Sequence, residues 1–424
     1  MKRKLIAILL AVALSELFIL EQAPLSVYAA DGTAAFETVQ NVGDELYGFK
    51  LVKSEYKETS ESTQMLFEHV KTGAKMLVIK NSDLNRGFSI AFNTPPESDK
   101  GINHILEHSL LGGSEKYPSG NIIFNVMNNT YTSFVNAFTQ QNSTVFPVCS
   151  QNEEQLMKLT DIYMDAVYHP LIAKDKKVFE REAWRYELED SDSPLTVNGI
   201  VYNEMRGNYG SIDRVSAEND KKALFKDTNQ QYDSGGVPSS ILDLSYEEFI
   251  DTYNKNYIPS NSFMVLYGDV DYGKFLKMIN DDYLSSYDKK EVSIDKKEQP
   301  AFDGLVEKDY DFPVSSDYDA TDKSKIDIVF ALPEMDKIPV EDYAGITMAA
   351  ALLGDNSSDF MKALRNSNIA EDYEVSTSCD TYQPVITISA KNTDMSKKKD
   401  FYNLVMSEIK SEVSNGVNKE LQNR

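Results

Sequence analysis

Residues Ile102 to Leu111 can bury their apolar side chains in one regular way, as a helix stopped by Gly112-Gly113. At about 100° per residue, Ile102, Ile105, Leu106, Ser109 and Leu110 gather on one side. His104, Glu107 and His108 gather on the other, so the face that packs is separate from a face that carries chemistry. A helix built this way needs a core on one side and space on the other. The surrounding chain supplies the core. Met76 to Ile79 reads as a short apolar strand, and Phe88, Ile90 and Phe92 alternate with Ser89, Ala91 and Asn93 as a half-buried strand. Tyr131 to Thr139 and Ser143 to Val148 read as strands joined by Gln140-Gln141-Asn142. Ser150 with Glu153 reads as a capping box opening a helix whose apolar face is Leu156, Leu159, Tyr163, Ala166 and Val167, ended near His169-Pro170.

Side chains at i and i+4 of a helix project from nearly the same face, so His104 and His108 can reach one metal ion with Glu107 beside it. His-x-x-Glu-His is the inverted form of a zinc-peptidase motif. A catalytic zinc site takes three protein ligands and keeps a fourth position for water, so one more ligand is required. Val201 to Gly207, containing Glu204, is the candidate region, although spacing alone does not single out one carboxylate. The chain has two cysteines, Cys149 and Cys379, too few for a Cys-rich metal site or a disulfide framework.

The residues in order carry a resemblance. Glu68 to Ala74, Phe92-Asn93-Thr94-Pro95-Pro96, Gly101 to Ser109, Gly113 to Pro118, Asn136-Ala137-Phe138-Thr139, Phe146-Pro147-Val148 and Asn203-Glu204-Met205 with Gly207 together resemble the presequence-protease and falcilysin branch of the pitrilysin/insulysin family. The resemblance covers nearly all of residues 40 to 270. It implies an α+β fold of two pitrilysin-like α/β domains, with largely antiparallel sheets flanked by helices. It implies that His104, His108 and Glu204 hold one Zn2+ per chain, that Glu107 is the general base, and that Asn136 and Ala137 lie on a strand along which peptides dock. Glu182 would match a second acidic residue that supports the site by orienting a histidine. Asn103 departs from the family, where a small apolar residue often precedes the first histidine. His69 and His169 have no such constellation and read as structural.

A chain of 424 residues suggests about two or three domains. Residues 1–29 read as a signal peptide. Lys2, Arg3 and Lys4 precede the apolar run Leu5 to Leu14, and Val27-Tyr28-Ala29 offers a cleavage site, which implies export. No later stretch is long and apolar enough to span a bilayer. The catalytic domain is expected at 31–287 and a charged linker at 288–300. A second domain, with strands around Ile326 and Val385 and helices at Val340 to Leu353 and around Phe401, is expected at 301–424. It looks incomplete, ending in the first turns of another helix after Gly416, and family members of this branch are about twice as long. The expected partners are therefore unfolded peptides and a C-terminal half, in trans or in a longer parent chain. A formal net charge of −24 disfavours nucleic acid and favours cationic partners such as basic peptides. The functions left open are a zinc endopeptidase or its catalytic half, a zinc-loaded peptide-binding module without turnover, and an inactive fragment.

Overall fold

The structure is a computed structural model that describes residues 41–118, 120–294 and 296–416. The expected signal peptide and the turns after Gly416 lie outside the described residues. The chain divides into two compact units, one of residues up to 205 with 234–294, the other of 206–233 with 295–424. Residues 206–233, grouped by the sequence reading with the first region, thus cluster with the second.

The first unit is built on a nine-stranded sheet. Its first five strands are β1 (Glu45–Leu46), β2 (Phe49–Lys57), β3 (Ser62–His69), β4 (Lys75–Lys80) and β5 (Arg86–Asn93). Helices α1 (Ile102–Leu110) and α2 (Ile122–Asn129) precede β6 (Phe134–Val135), β7 (Phe138–Thr139) and β8 (Ser143–Ser150). Then come α3 (Glu153–Tyr168), α4 (Lys176–Glu182), a separate hairpin of β9 (Arg185–Glu187) and β10 (Thr196–Asn198), and α5 (Ile200–Asn208), whose Glu204 falls in this unit. After α6 (Ile212–Leu224), which belongs to the second unit, the first unit is completed by α7 (Pro238–Ile241), α8 (Tyr246–Asn256), β11 (Ser262–Gly268) and α9 (Tyr272–Met278). The strand order is β1-β2-β3-β4-β11-β5-β8-β6, with β7 also on β8. Every pairing is antiparallel except β4 with β11.

Strand β5 is buried along both alternating faces from Gly87 to Phe92, not one, and α3 packs across β5 and β8. Val265 of β11 joins Leu77 and Ile79 of β4 in a second apolar cluster. Leu156, Leu159, Tyr163, Ala166 and Val167 of α3 are all buried, as the pattern predicts. The helix starts later than the capping-box reading has it. Asn152 is the cap, its side chain accepting from Gln155 N at 2.9 Å, whereas Ser150 ends β8 and donates to the Tyr131 carbonyl. The strand expected over Tyr131 to Thr139 is interrupted at Asn136-Ala137. There the Asn136 carbonyl accepts from Tyr163 Oη at 3.1 Å and the Asn136 side chain takes the Ala137 N–H. Both short pieces still pair only with β8, which leaves them on the sheet's edge.

The second unit carries a three-stranded antiparallel sheet in the order β12 (Ser324–Ala331), β14 (Val385–Thr393), β13 (Ala370–Ser378). Helices α10 (Val340–Gly354), α11 (Asp359–Asn366) and α12 (Lys398–Asn415) accompany it. Its core joins Ile326 and Ile328 of the sheet to Phe360 and Leu364 of α11 and Phe401 and Val405 of α12. The whole is the α+β, antiparallel-rich class expected from the sequence. Among the described residues no helix is long and apolar enough to cross a membrane.

Candidate metal centre

Helix α1 places the site. Ile105, Leu106 and Leu110 are fully buried and fix its rotation, so His104, Glu107 and His108 face away from that packing. Asn103, at the departure from the family pattern, is buried and donates from Nδ2 to the Thr94 carbonyl at 2.8 Å, which ties the start of α1 to the end of β5.

Each imidazole is held by one nitrogen. His104 Nδ1 lies 3.1 Å from the Gly235 carbonyl. A carbonyl can only accept, so that nitrogen carries the proton and Nε2 keeps its lone pair. His108 Nδ1 lies 3.4 Å from Glu182 Oε2, so Nδ1 carries a proton in the second ring as well and Nε2 faces the site. The two Nε2 atoms then approach one oxygen, Glu204 Oε2, at 3.6 Å for His104 and 3.7 Å for His108. Among the described residues, His104, His108 and Glu204 are the one group of three such side chains whose ligand atoms lie within 4.8 Å of one another.

This donor set fits zinc. Ligand atoms about 2.0 Å from a tetrahedral ion stand about 3.3 Å apart. The separations of 3.6 and 3.7 Å need only a slight contraction. Three ligand atoms thus converge with no protein donor between them, an arrangement that a bound cation would satisfy.

Glu107 is buried at 9% exposure, more than a ligand face turned to solvent would suggest. Thr139 explains how it is held, donating from Oγ1 to Glu107 Oε2 at 2.7 Å. Glu182 is also buried, and is shared between His108 and Arg181, whose Nε donates to Oε1 at 2.7 Å. Burial raises the Glu182 carboxyl, but His108 and Arg181 outweigh it and hold the group below its ordinary value. For His108, burial opposes the charge, while Glu182, Glu107 and Glu204 overcome that opposition and lift the imidazole above its ordinary value. The structure thus brings together His104, His108, Glu204, Glu107 and Glu182. Asn136 and Ala137 lie on the edge segment that continues into Thr139. Sequence reasoning missed Thr139 as a partner of Glu107 and Gly235 as a partner of His104. Thr139 stood within a quoted motif, but no periodicity links it to α1.

Comparison with known proteins decides the family. The description "Insulinase (Peptidase family M16)" matches residues 94–209, and "Peptidase M16 inactive domain" matches 243–424. This chain belongs to peptidase family M16, in its presequence-protease-like branch. All five side chains of the centre fall in the first matched stretch. Protein HypA of Clostridium perfringens is 36% identical over 374 residues, 88% of this chain and 38% of that protein. Presequence protease 1 of Arabidopsis thaliana, chloroplastic/mitochondrial, is 32% identical over 375 residues, 88% of this chain and 35% of that protein. The M16 chain therefore spans little more than a third of the length of these relatives. A protease from Helicobacter pylori shares the fold at a TM-score of 0.64 and 14% identity, over 83% of this chain and 80% of that one. Pitrilysin does so at 0.58 and 16% identity, over 89% of this chain and 39% of that one.

Proposed function

We propose that this chain is the catalytic part of an exported zinc metalloendopeptidase that hydrolyses unfolded peptides. The observation that carries the reading is the convergence of His104 Nε2 and His108 Nε2 on Glu204 Oε2, with Glu107 one helical position from His108. His104, His108 and Glu204 would hold the ion. Zinc bound there would supply a Lewis acid that acidifies a water and polarises a peptide carbonyl. Glu107 accepts the water's proton and holds it for the departing amine. Thr139 occupies one oxygen of that carboxylate and aims the other. The edge segment at Asn136 and Ala137 takes an extended peptide as an added strand, through main-chain hydrogen bonds that read little of its sequence. That mode suits unfolded substrates. The leader-like residues 1–29 support export.

Because the chain spans little more than a third of the length of these relatives, a second reading is a zinc-loaded module that binds peptides without turnover. One assay separates the two. An unstructured peptide is incubated with the purified chain, alone and with the C-terminal half of the clostridial relative. Chelator-sensitive cleavage in either arm, lowered about 10²- to 10⁴-fold by Glu107→Gln at unchanged zinc content, is the expected result. Peptide binding without cleavage in both arms would favour the module. Cleavage by Glu107→Gln at the wild-type rate would overturn the assigned base.

A further inference from the structure

Helix α1 begins at Gly101, in the left-handed region at φ +64°, with its carbonyl accepting from Ile105 N at 3.0 Å. Against it lies the loop of Ser234, Gly235 and Gly236, more than a hundred residues later in the chain. Val237 N donates to the Asp99 carbonyl at 2.8 Å and ties the loop down just before the helix. The approach is backbone to backbone. A Cβ on Gly101 would stand 2.6 Å from the Gly235 oxygen and 2.9 Å from Gly236 Cα. A Cβ on Gly236, itself at φ +100°, would stand 2.8 Å from Gly101 Cα. None of these three distances is tolerable, and every obstacle is backbone rather than a flexible side chain. Glycine is required on both sides.

The consequence reaches the metal centre. The Gly235 carbonyl in this loop is the acceptor that takes the His104 Nδ1 proton at 3.1 Å. His104 lies one helical turn from Gly101, so the glycine contact sets where the carbonyl meets the imidazole. His108 has a different holder, the Glu182 carboxylate at 3.4 Å. One ligand is oriented by a side chain and the other by a main-chain loop.

We propose that the Gly235-Gly236 loop is a positioning element of the metal centre, clamped to Gly101 so that the Gly235 carbonyl holds His104 with Nε2 presented to the ion. This rests on the zinc reading above but not on turnover. Groups that orient a metal-bound histidine typically change affinity about 10- to 100-fold when lost.

The test is zinc competition against a chelator, with thermal unfolding of the same samples. Gly236→Ala should bind zinc about 10- to 100-fold more weakly. Gly43→Ala is the control, since Gly43 has a similar φ of +106° but nothing within 4 Å of an added Cβ. It should match wild type in zinc affinity. Should Gly236→Ala fail to fold, ¹⁵N spectra of the imidazoles in the wild-type zinc-loaded chain decide, made tractable by only four histidines. The expected result is a His104 ring protonated on Nδ1 with slow proton exchange. Wild-type affinity in a folded Gly236→Ala variant, or a His104 ring protonated on Nε2, overturns the loop's role and leaves the zinc reading intact. No zinc affinity in the wild type overturns both. Absence of peptide cleavage bears only on the proposed activity.

Discussion

Both units gather acidic and basic side chains around a helix, with opposite outcomes. In the second unit, Arg214 of α6 donates to both oxygens of Asp233, at 2.7 and 2.8 Å, and also faces Glu218 at 3.1 Å. Lys221 closes on Glu218 at 2.8 Å, and Tyr209 Oη donates to Asp233 at 2.7 Å. Every carboxylate of that cluster meets a cation or a donor of the protein itself. In the first unit, two imidazole Nε2 atoms and a carboxylate oxygen point at one another, while the Nδ1 atoms are committed elsewhere, to Gly235 and Glu182. Matched charges make a brace. Converging acceptors make a site that an added cation would satisfy. The count of ionisable groups does not distinguish the two regions; the direction of their lone pairs does.

The sharpest way to break this contrast is to ask whether the acceptors of the first unit are equivalent. Glu204→Gln should weaken zinc binding by more than 100-fold, because it removes a bond and a negative charge from the ion, whereas Glu182→Gln should cost about 10- to 100-fold. Chelator competition ranks them, and the reverse order would mean that Glu182 is the ligand.

A smaller effect is expected at Thr139. Thr139→Val keeps the shape but removes the donor to Glu107, so peptide turnover should fall about tenfold with zinc content and KM little changed, on the scale of a hydrogen bond to a charged group. Thr139→Ser should restore most of the rate. Loss of zinc in the valine variant would place Thr139 in the structure of the centre rather than in the aim of the base.

A pH dependence is expected in the second unit. Asp220 of α6 hydrogen-bonds to Asp327 of β12, which also accepts from Ser389 Oγ at 2.5 Å and faces Lys325 at 3.1 Å. Burial, then the charge of Asp327 and the bond between the two carboxyls, lift Asp220 to about 8 against the pull of Lys325. The folded state keeps this proton where the unfolded chain, at an ordinary 3.8, has released it. The contribution is therefore complete below pH 3.8 and is lost as pH rises toward about 8. Hydrogen exchange in α6 and β12 should be slower at pH 5 than at pH 8, after correction for the intrinsic rate. Asp220→Asn should flatten that difference. An unchanged pH dependence in the variant would assign it to another group.

Much of the first unit was legible because its core helices and strands are periodic. The α1 wheel separates Leu106 from His108, and every residue of the α3 stripe from Leu156 to Val167 is buried, although Thr160, Ile162, Met164, Asp165 and Tyr168 are buried beside it. What escaped is what periodicity does not encode. The alternation in β5 predicts a half-buried strand, yet Gly87 to Phe92 are buried on both alternating faces. The Ser150 reading failed because a strand and a helix end within two residues of each other, and Asn152 competes for the same cap. In the site, the helical pair His104 and His108 follows from spacing, and Glu204 needed the family resemblance. Thr139 and Gly235 act through single contacts across 32 and 131 residues, a tertiary juxtaposition that leaves no local pattern.

The most direct measurement is metal analysis of the purified chain beside His104→Ala, both shown to be folded by circular dichroism. One zinc per chain in the wild type and essentially none in the variant is the expected result. A wild-type chain without zinc after equilibration with the ion, or a His104→Ala chain that retains it in full, would contradict a metal centre built on His104, His108 and Glu204.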